Sequence, residues 1–219
     1  MRNILYLVFF VILTQVSFAD KEGGMSENKK IIKKAVFAGG CFWCMEAPFK
    51  VIDGVMSVLP GYTGGHTKNP TYEEVCSGTT GHAEAVEVTY DASKVDYNAL
   101  LDIFWRNIDP TTMDQQFADA GTQYRTAIFY QDEEQRQMAE KSKAVLADSG
   151  RYDGPIVTEI TPAGEFYPAE DYHREYYKKH PTHYQLYRIG SGRDQYLDRT
   201  WKNDTKYQEL KKKKEEGKK

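Results

Sequence analysis

The chain is poor in cysteine. Three in 219 residues is an odd number, so at most one intramolecular disulfide can form and one thiol is left over, which excludes a disulfide-stapled scaffold. It has no excess of positive charge: the formal net charge is -3, which argues against nucleic acid as the main partner. It has no hydrophobic run of membrane-spanning length, because the unbroken apolar stretch Ile4–Leu13 falls short of about 20 residues. Internal repeats are absent. His66, His173, His180 and His183 are scattered without the spacing of metal ligands. What the chain does have is aromatic weight, with 16 tyrosines, and enough length for one domain with a real core.

Residues 1–19 have the form of a secretory signal peptide. Arg2 gives a positive start, the short apolar run follows, and Ser17-Phe18-Ala19 has the small-x-small form of a cleavage site before Asp20. An uncleaved membrane anchor is the alternative. Residues 20–33 read as a polar linker, 34–203 as the folded domain and 204–219 as a charged tail, solvated or disordered from Lys211 onward. The expectation is an exported protein, periplasmic or extracellular, whose cysteines meet an oxidising compartment.

The periodicities place the elements. A short strand over Ile31–Phe37 runs into Gly39-Gly40, and a helix follows over Phe42–Val51 with Pro48 as an unexplained interior proline. Val55–Leu59 reads as a second strand. Tyr62–Gly81, punctuated by Gly64-Gly65, Asn69-Pro70 and Gly78, reads as a long functional loop. Glu84–Tyr90 alternates cleanly as a strand, with Glu84, Val86, Val88 and Tyr90 on one face. Asp96 caps a helix that Asp109-Pro110 stops. Tyr124–Tyr130 is a further strand, Asp132 and Gln135 open a helix that ends at Gly150, and Ile156–Thr161 is the last strand. A short helix over Glu170–Lys179 follows. This order predicts an α+β two-layer sandwich with a βαββαβ ferredoxin-like core, a mixed sheet and a long irregular C-terminal wrap.

Chemistry centres on Cys41-Phe42-Trp43-Cys44. Unpaired N–H groups at a helix start stabilise negative charge, so Cys41 is expected to be an acidic thiol. Cys44, three residues on, lies on the same helix face within disulfide range. A static bridge, or a zinc site that adds Cys76 and His82, are the alternatives. Glu84, an inward carboxyl among valines, is expected to have a raised pKa and to serve as an acid; His82, on the same face by alternation, competes for that role. Cys76 reads as a buried structural thiol.

Several stretches carry a resemblance: Gly40-Cys41-Phe42-Trp43, Gly61-Tyr62-Thr63-Gly64-Gly65, Tyr72-Glu73-Glu74-Val75-Cys76-Ser77-Gly78, Thr80-Gly81-His82-Ala83-Glu84-Ala85-Val86, Gly121-Thr122-Gln123-Tyr124-Arg125 and Ala169-Glu170-Asp171-Tyr172-His173. In this order they resemble the A-type peptide methionine sulfoxide reductases, over about Lys34 to Trp201. The resemblance implies reduction of the S-epimer of methionine sulfoxide, free or in proteins, by a monomer without metal or flavin. It implies Cys41 as nucleophile and Phe42 and Trp43 as the pocket for the S-methyl group. It makes Glu84 the proton donor, ahead of His82. Tyr72 and Tyr124 become hydroxyls at the sulfoxide oxygen, and Asp119 a contact to the substrate backbone. Many members place a resolving cysteine near the C-terminus. This chain has none after Cys76, and resembles instead the Cys-Phe-Trp-Cys subgroup, in which Cys44 resolves and thioredoxin, or an exported thioredoxin-like reductant, restores the pair.

Overall fold

A computed structural model describes residues 30–216, so the leader and most of the linker lie outside the described residues. The elements run β1 (Ile32–Gly39), α1 (Phe42–Lys50), β2 (Val55–Thr63), α2 (Tyr72–Cys76), β3 (Ala83–Asp91) and α3 (Tyr97–Trp105). The hairpin β4 (Gln115–Gln116) and β5 (Asp119–Ala120) follows, then β6 (Thr126–Tyr130), α4 (Glu133–Ala147), β7 (Glu159–Pro162) and β8 (Tyr167–Pro168). Four helices close the described chain: α5 (Tyr176–Lys179), α6 (Pro181–Gly190), α7 (Arg193–Thr200) and α8 (Thr205–Glu216).

The main sheet has the order β7-β6-β1-β3-β2-β8. Every pair is antiparallel except β6 with β7, which α4 joins as a parallel crossover. The inner four strands with α1 and α3 make the expected βαββαβ unit, and the sheet is mixed as expected.

Alternation along β1 and β3 decides what each face buries. Phe37 in β1 pairs in register with Val86 in β3, and with Val88, Leu100, Phe104 and Ile108 they form the core beneath the helices. Phe37 stacks on Phe49 of α1 and Phe104 of α3, both at 5.2 Å between ring centres. Burying one such ring stabilises the fold by about 1.5–3 kcal/mol. Val36, Ala38, Ala83, Ala85 and Phe129 fill the opposite face under Ala163 and Phe166. The ends of β1 and β3 are therefore shielded on both sides, and a group placed there is held away from water.

Several boundaries differ from expectation. β2 continues through Pro60 and Gly61 to Thr63, because Pro60 directs its missing N–H toward the sheet edge, where Ala169 N–H donates to its carbonyl. The long loop contains α2, opened by a capping box between Thr71 and Glu74, a sequence signal that was there to be read. Tyr124 belongs to a one-turn 3₁₀ helix, and β6 starts at Thr126. The strand expected over Ile156–Thr161 is β7, which begins at Glu159, and it is not the last, since β8 follows and pairs with β2. The tail is helical rather than disordered through the described residues. Tyr207 of α8 is buried and donates to Asp198, Lys211 also reaches Asp198, and Asp204 caps the helix and forks with Arg106.

Candidate active site

Cys41 is the N-cap of α1, with φ -50° and ψ 120°, and its side chain makes no capping hydrogen bond. Gly40 turns the chain into it at φ +76°, a conformation that favours glycine, and a Cβ there would sit 2.4 Å from Gln116 Cβ. Cys44 N–H donates to Cys41 O at 3.0 Å, one tight turn that places both thiols on the same side. Both are free and buried.

Glu84 faces Tyr62 across the β2–β3 ladder and is 1 % exposed. Its Oε2 accepts the Phe42 N–H at 3.0 Å, the first orphan donor after Cys41. Burial pushes its pKa up to about 8, helped by the nearby Asp119 and Cys44 charges and opposed by the Phe42 hydrogen bond. A substantial fraction is therefore the neutral acid at pH 7, as the alternation argument expects. His82 is engaged elsewhere. Its Nδ1 accepts from Gly65 N–H at 3.0 Å and its Nε2 donates to Thr67 O at 2.7 Å, so it braces the glycine turn and is not available as an acid or as a zinc ligand.

Phe42 is buried against His173 and Tyr62, and Trp43 stacks flat on Tyr176 at 3.7 Å. Trp43 Nε1 donates to His173 Nδ1 at 3.0 Å, and burial lowers the His173 pKa and keeps that ring neutral. Tyr72 and Tyr124 converge beside Glu84, and burial pushes both phenols well above their ordinary pKa. Glu170 holds this wall together, accepting from Tyr62 Oη at 2.8 Å and Tyr72 N–H at 3.0 Å. Asp119 in β5 accepts a hydrogen bond from Tyr187 of α6, and burial raises its pKa.

Two expectations need correction. Cys76 is only half-buried and lies within hydrogen-bonding reach of the Tyr72 and Tyr124 hydroxyls, at the rim of the site rather than in the core. And the acidic thiol is Cys44, not Cys41. Burial, then the shared hydrogen bond with Cys44, raises Cys41 well above a free thiol. Burial also opposes ionisation of Cys44, but the Cys41 S–H and the charges of Arg193 and Arg188 outweigh it and bring Cys44 down to about 6. One proton serves the two sulfurs.

The interior proline is explained here. Pro48 has no N–H for Cys44 O, and Arg188 Nη1 donates to that carbonyl from α6 at a long 3.4 Å. Arg188 is itself buried and forked onto Asp194. Sequence reasoning did not find Tyr187, Tyr176, Glu170, Arg188 or Arg193 as site residues. The tyrosine-rich last third was the one visible hint, and a pattern of period two or 3.6 carries no information about contacts across the fold.

Comparison with known proteins agrees with this geometry. The family model for peptide methionine sulfoxide reductase matches residues 33–205. The peptide methionine sulfoxide reductase MsrA of Listeria innocua is 56% identical over 175 residues, 80% of this chain and 99% of that protein. The MsrA of Bacillus licheniformis is 55% identical over 177 residues, 81% of this chain and 96% of its own. Among solved structures, reduced Mxr1 of Saccharomyces cerevisiae superposes with a TM-score of 0.66 at 32% identity, covering 71% of this chain and 89% of that one. Methionine sulfoxide reductase A of Corynebacterium diphtheriae gives 0.62 at 38% identity, covering 68% and 76%. A buried cysteine pair under a buried carboxylic acid, set in a chain this similar, belongs to the peptide methionine sulfoxide reductase family, oxidoreductases that return oxidised methionine to methionine.

Proposed function

We infer that the chain reduces the S-epimer of methionine sulfoxide, free and in proteins, with Cys41 as nucleophile and Cys44 as resolving thiol. The observation that carries this is the placement of Cys41 at the mouth of α1 beside Glu84, a carboxyl that burial keeps partly protonated at neutral pH.

Thiolate attack on a sulfoxide is slow unless its oxygen is protonated, because the oxygen otherwise departs as a strong base. When the shared proton rests on Cys44, Cys41 is the thiolate and attacks the sulfoxide sulfur. Glu84 protonates the oxygen, with the Tyr72 and Tyr124 hydroxyls hydrogen-bonded to it. The hydroxyl then passes from the methionine sulfur to the Cys41 sulfur, the methionine S–O bond and the transient S–S bond break, and methionine leaves with Cys41 as a sulfenic acid. Cys44 then forms a bond to the Cys41 sulfur, the S–O bond breaks, and the departing hydroxide takes up a proton and leaves as water. The two thiols supply both electrons. Phe42 and Trp43 wall the pocket for the S-methyl group, and Asp119 meets the substrate backbone.

An external dithiol, thioredoxin or an exported thioredoxin-like protein, returns the disulfide to the reduced pair. The leader-like residues 1–19 support export and a role in repairing oxidised proteins outside the cytoplasm. A single-turnover assay on separated sulfoxide epimers, with thiols counted before and after, tests the reading. It expects one methionine formed and two thiols lost per chain from the S-epimer only. Equal turnover of the R-epimer, or no loss of thiols, would overturn it.

A further inference from the structure

Arg193 is the largest fully buried side chain of the described residues, 1 % exposed, and the steps above do not use it. Every group it touches is neutral. Nη1 donates to Asn107 O at 2.7 Å, Nη2 donates to Gly39 O at 3.1 Å, and Met45 Sδ lies 4.0 Å from Nη1. The Phe117 ring covers the guanidinium at 4.5 Å, from a backbone held at φ +59° in the β4–β5 turn. Arg193 forms no ion pair among the described residues, in contrast to Arg188, whose charge Asp194 neutralises. A buried guanidinium without an ion-pair partner is expensive, and such a charge persists when something supplies the opposite sign.

Two carboxylates, Asp119 of β5 and Asp194 of α7, act on Arg193 without forming an ion pair, and its contacts show where a further opposite charge can arise. Gly39, the adjacent Gly40 and Met45 bracket the segment 41–44, and a Cβ on Gly40 would come within 2.9 Å of Arg193 Nη2. The guanidinium therefore lies behind the turn that carries the two thiols.

We propose that Arg193 is the fixed counter-charge of the Cys41–Cys44 pair, a positioning residue that holds one negative charge on the dithiol and keeps the Cys44 sulfur nucleophilic for closing the disulfide. The lowered Cys44 thiol agrees with this, Arg193 being the strongest charge acting on it. The other titratable groups acting on Cys44 are Cys41 of α1, Asp119 of β5, and Tyr184, Arg188 and Tyr187 of α6, while Glu84 of β3 faces it and Asp194 of α7 answers Arg188. The kinetic part of the proposal rests on the reading of Cys44 as resolver; the electrostatic part does not.

The test is a thiolate titration by ultraviolet absorbance on the reduced full chain, for the wild type, Arg193→Gln and Arg193→Lys. The wild type should ionise one thiol per chain near pH 6. Arg193→Gln should move that step up by at least about one pH unit and, at pH 5 where the thiolate is scarce, slow disulfide closure about threefold, while Arg193→Lys restores most of both. A folded Arg193→Gln variant that titrates like the wild type overturns the proposal. So does an Arg193→Lys variant shifted as far as Arg193→Gln, since the role would then be the hydrogen bonds to Gly39 and Asn107 rather than the charge. If Arg193→Gln does not fold, the wild type and Arg193→Lys still decide: a wild type with no thiolate below about pH 8.5, where free cysteine ionises, sinks the idea. Loss of the resolver reading would appear separately, as normal reductant-driven turnover in Cys44→Ser with the titration unchanged in the wild type.

Discussion

The Phe42 N–H donates to Glu84 Oε2 at 3.0 Å, so the strand that carries the acid is tied directly to the helix that carries the nucleophile. Both partners are 1 % exposed, so the bond is held away from water. It also consumes an N–H that would otherwise stabilise a Cys41 thiolate. The same contact that positions the acid thus helps explain why the resting charge does not sit on Cys41.

Cys41→Ser should abolish even a single turnover, read as methionine formed from stoichiometric sulfoxide. Cys44→Ser should keep that first turnover and lose turnover driven by a dithiol protein. A burst of methionine from Cys41→Ser would move the nucleophile elsewhere.

Glu84→Gln should slow the reductive step about 10²–10⁴-fold, the range for loss of a positioned acid. In the wild type the single-turnover rate should fall as pH rises through about 8, where Glu84 loses its proton, and Glu84→Gln should lack that limb. Stability should fall with rising pH as well. The folded state holds the Glu84 proton between its ordinary 4.5 and about 8 while the unfolded chain does not, so the wild type loses stability as pH rises across that window. Glu84→Gln should therefore melt above the wild type at pH 8 and close to it at pH 4.

Tyr187→Phe removes the donor that holds Asp119 ionised in a buried place. The Asp119 pKa should climb further, and KM for peptide sulfoxides should rise several-fold with kcat little changed, a loss on the order of 1 kcal/mol. A change confined to kcat would place Asp119 in the chemical step instead.

Ending the chain at Asp204 deletes α8. Loss of the buried Tyr207 ring alone should cost on the order of 2 kcal/mol, and the melting temperature should fall by roughly 4–8 °C. Single-turnover activity per folded molecule should persist. An unchanged melting temperature would mean that α8 adds nothing to the fold.

Pro48→Ala restores an N–H to α1 opposite Cys44 O, where it competes with Arg188. Thiolate titration should then show a modest upward shift of Cys44 as Arg188 is released, while helix stability rises or holds.

The sequence by itself determined the local frame. The strand–glycine–helix start at Cys41, the inward Glu84 on an alternating strand, and the Asp96 and Asp132 caps all hold in the structure, because each follows from a period or a cap confined to a few neighbouring residues. The residues named for the site also gather in one place. Three matters were decided only by tertiary structure. His82 is taken by a loop 15 to 17 residues earlier, which no alternation argument could reveal. The charged tail folds because Asp198 and Arg106 meet it from other helices. And the negative charge of the dithiol rests on Cys44, because Arg188 and Arg193 arrive beside the pair from about 150 residues downstream. A helix start can be read from sequence, but the field at a buried sulfur is the sum of charges brought there by the whole fold.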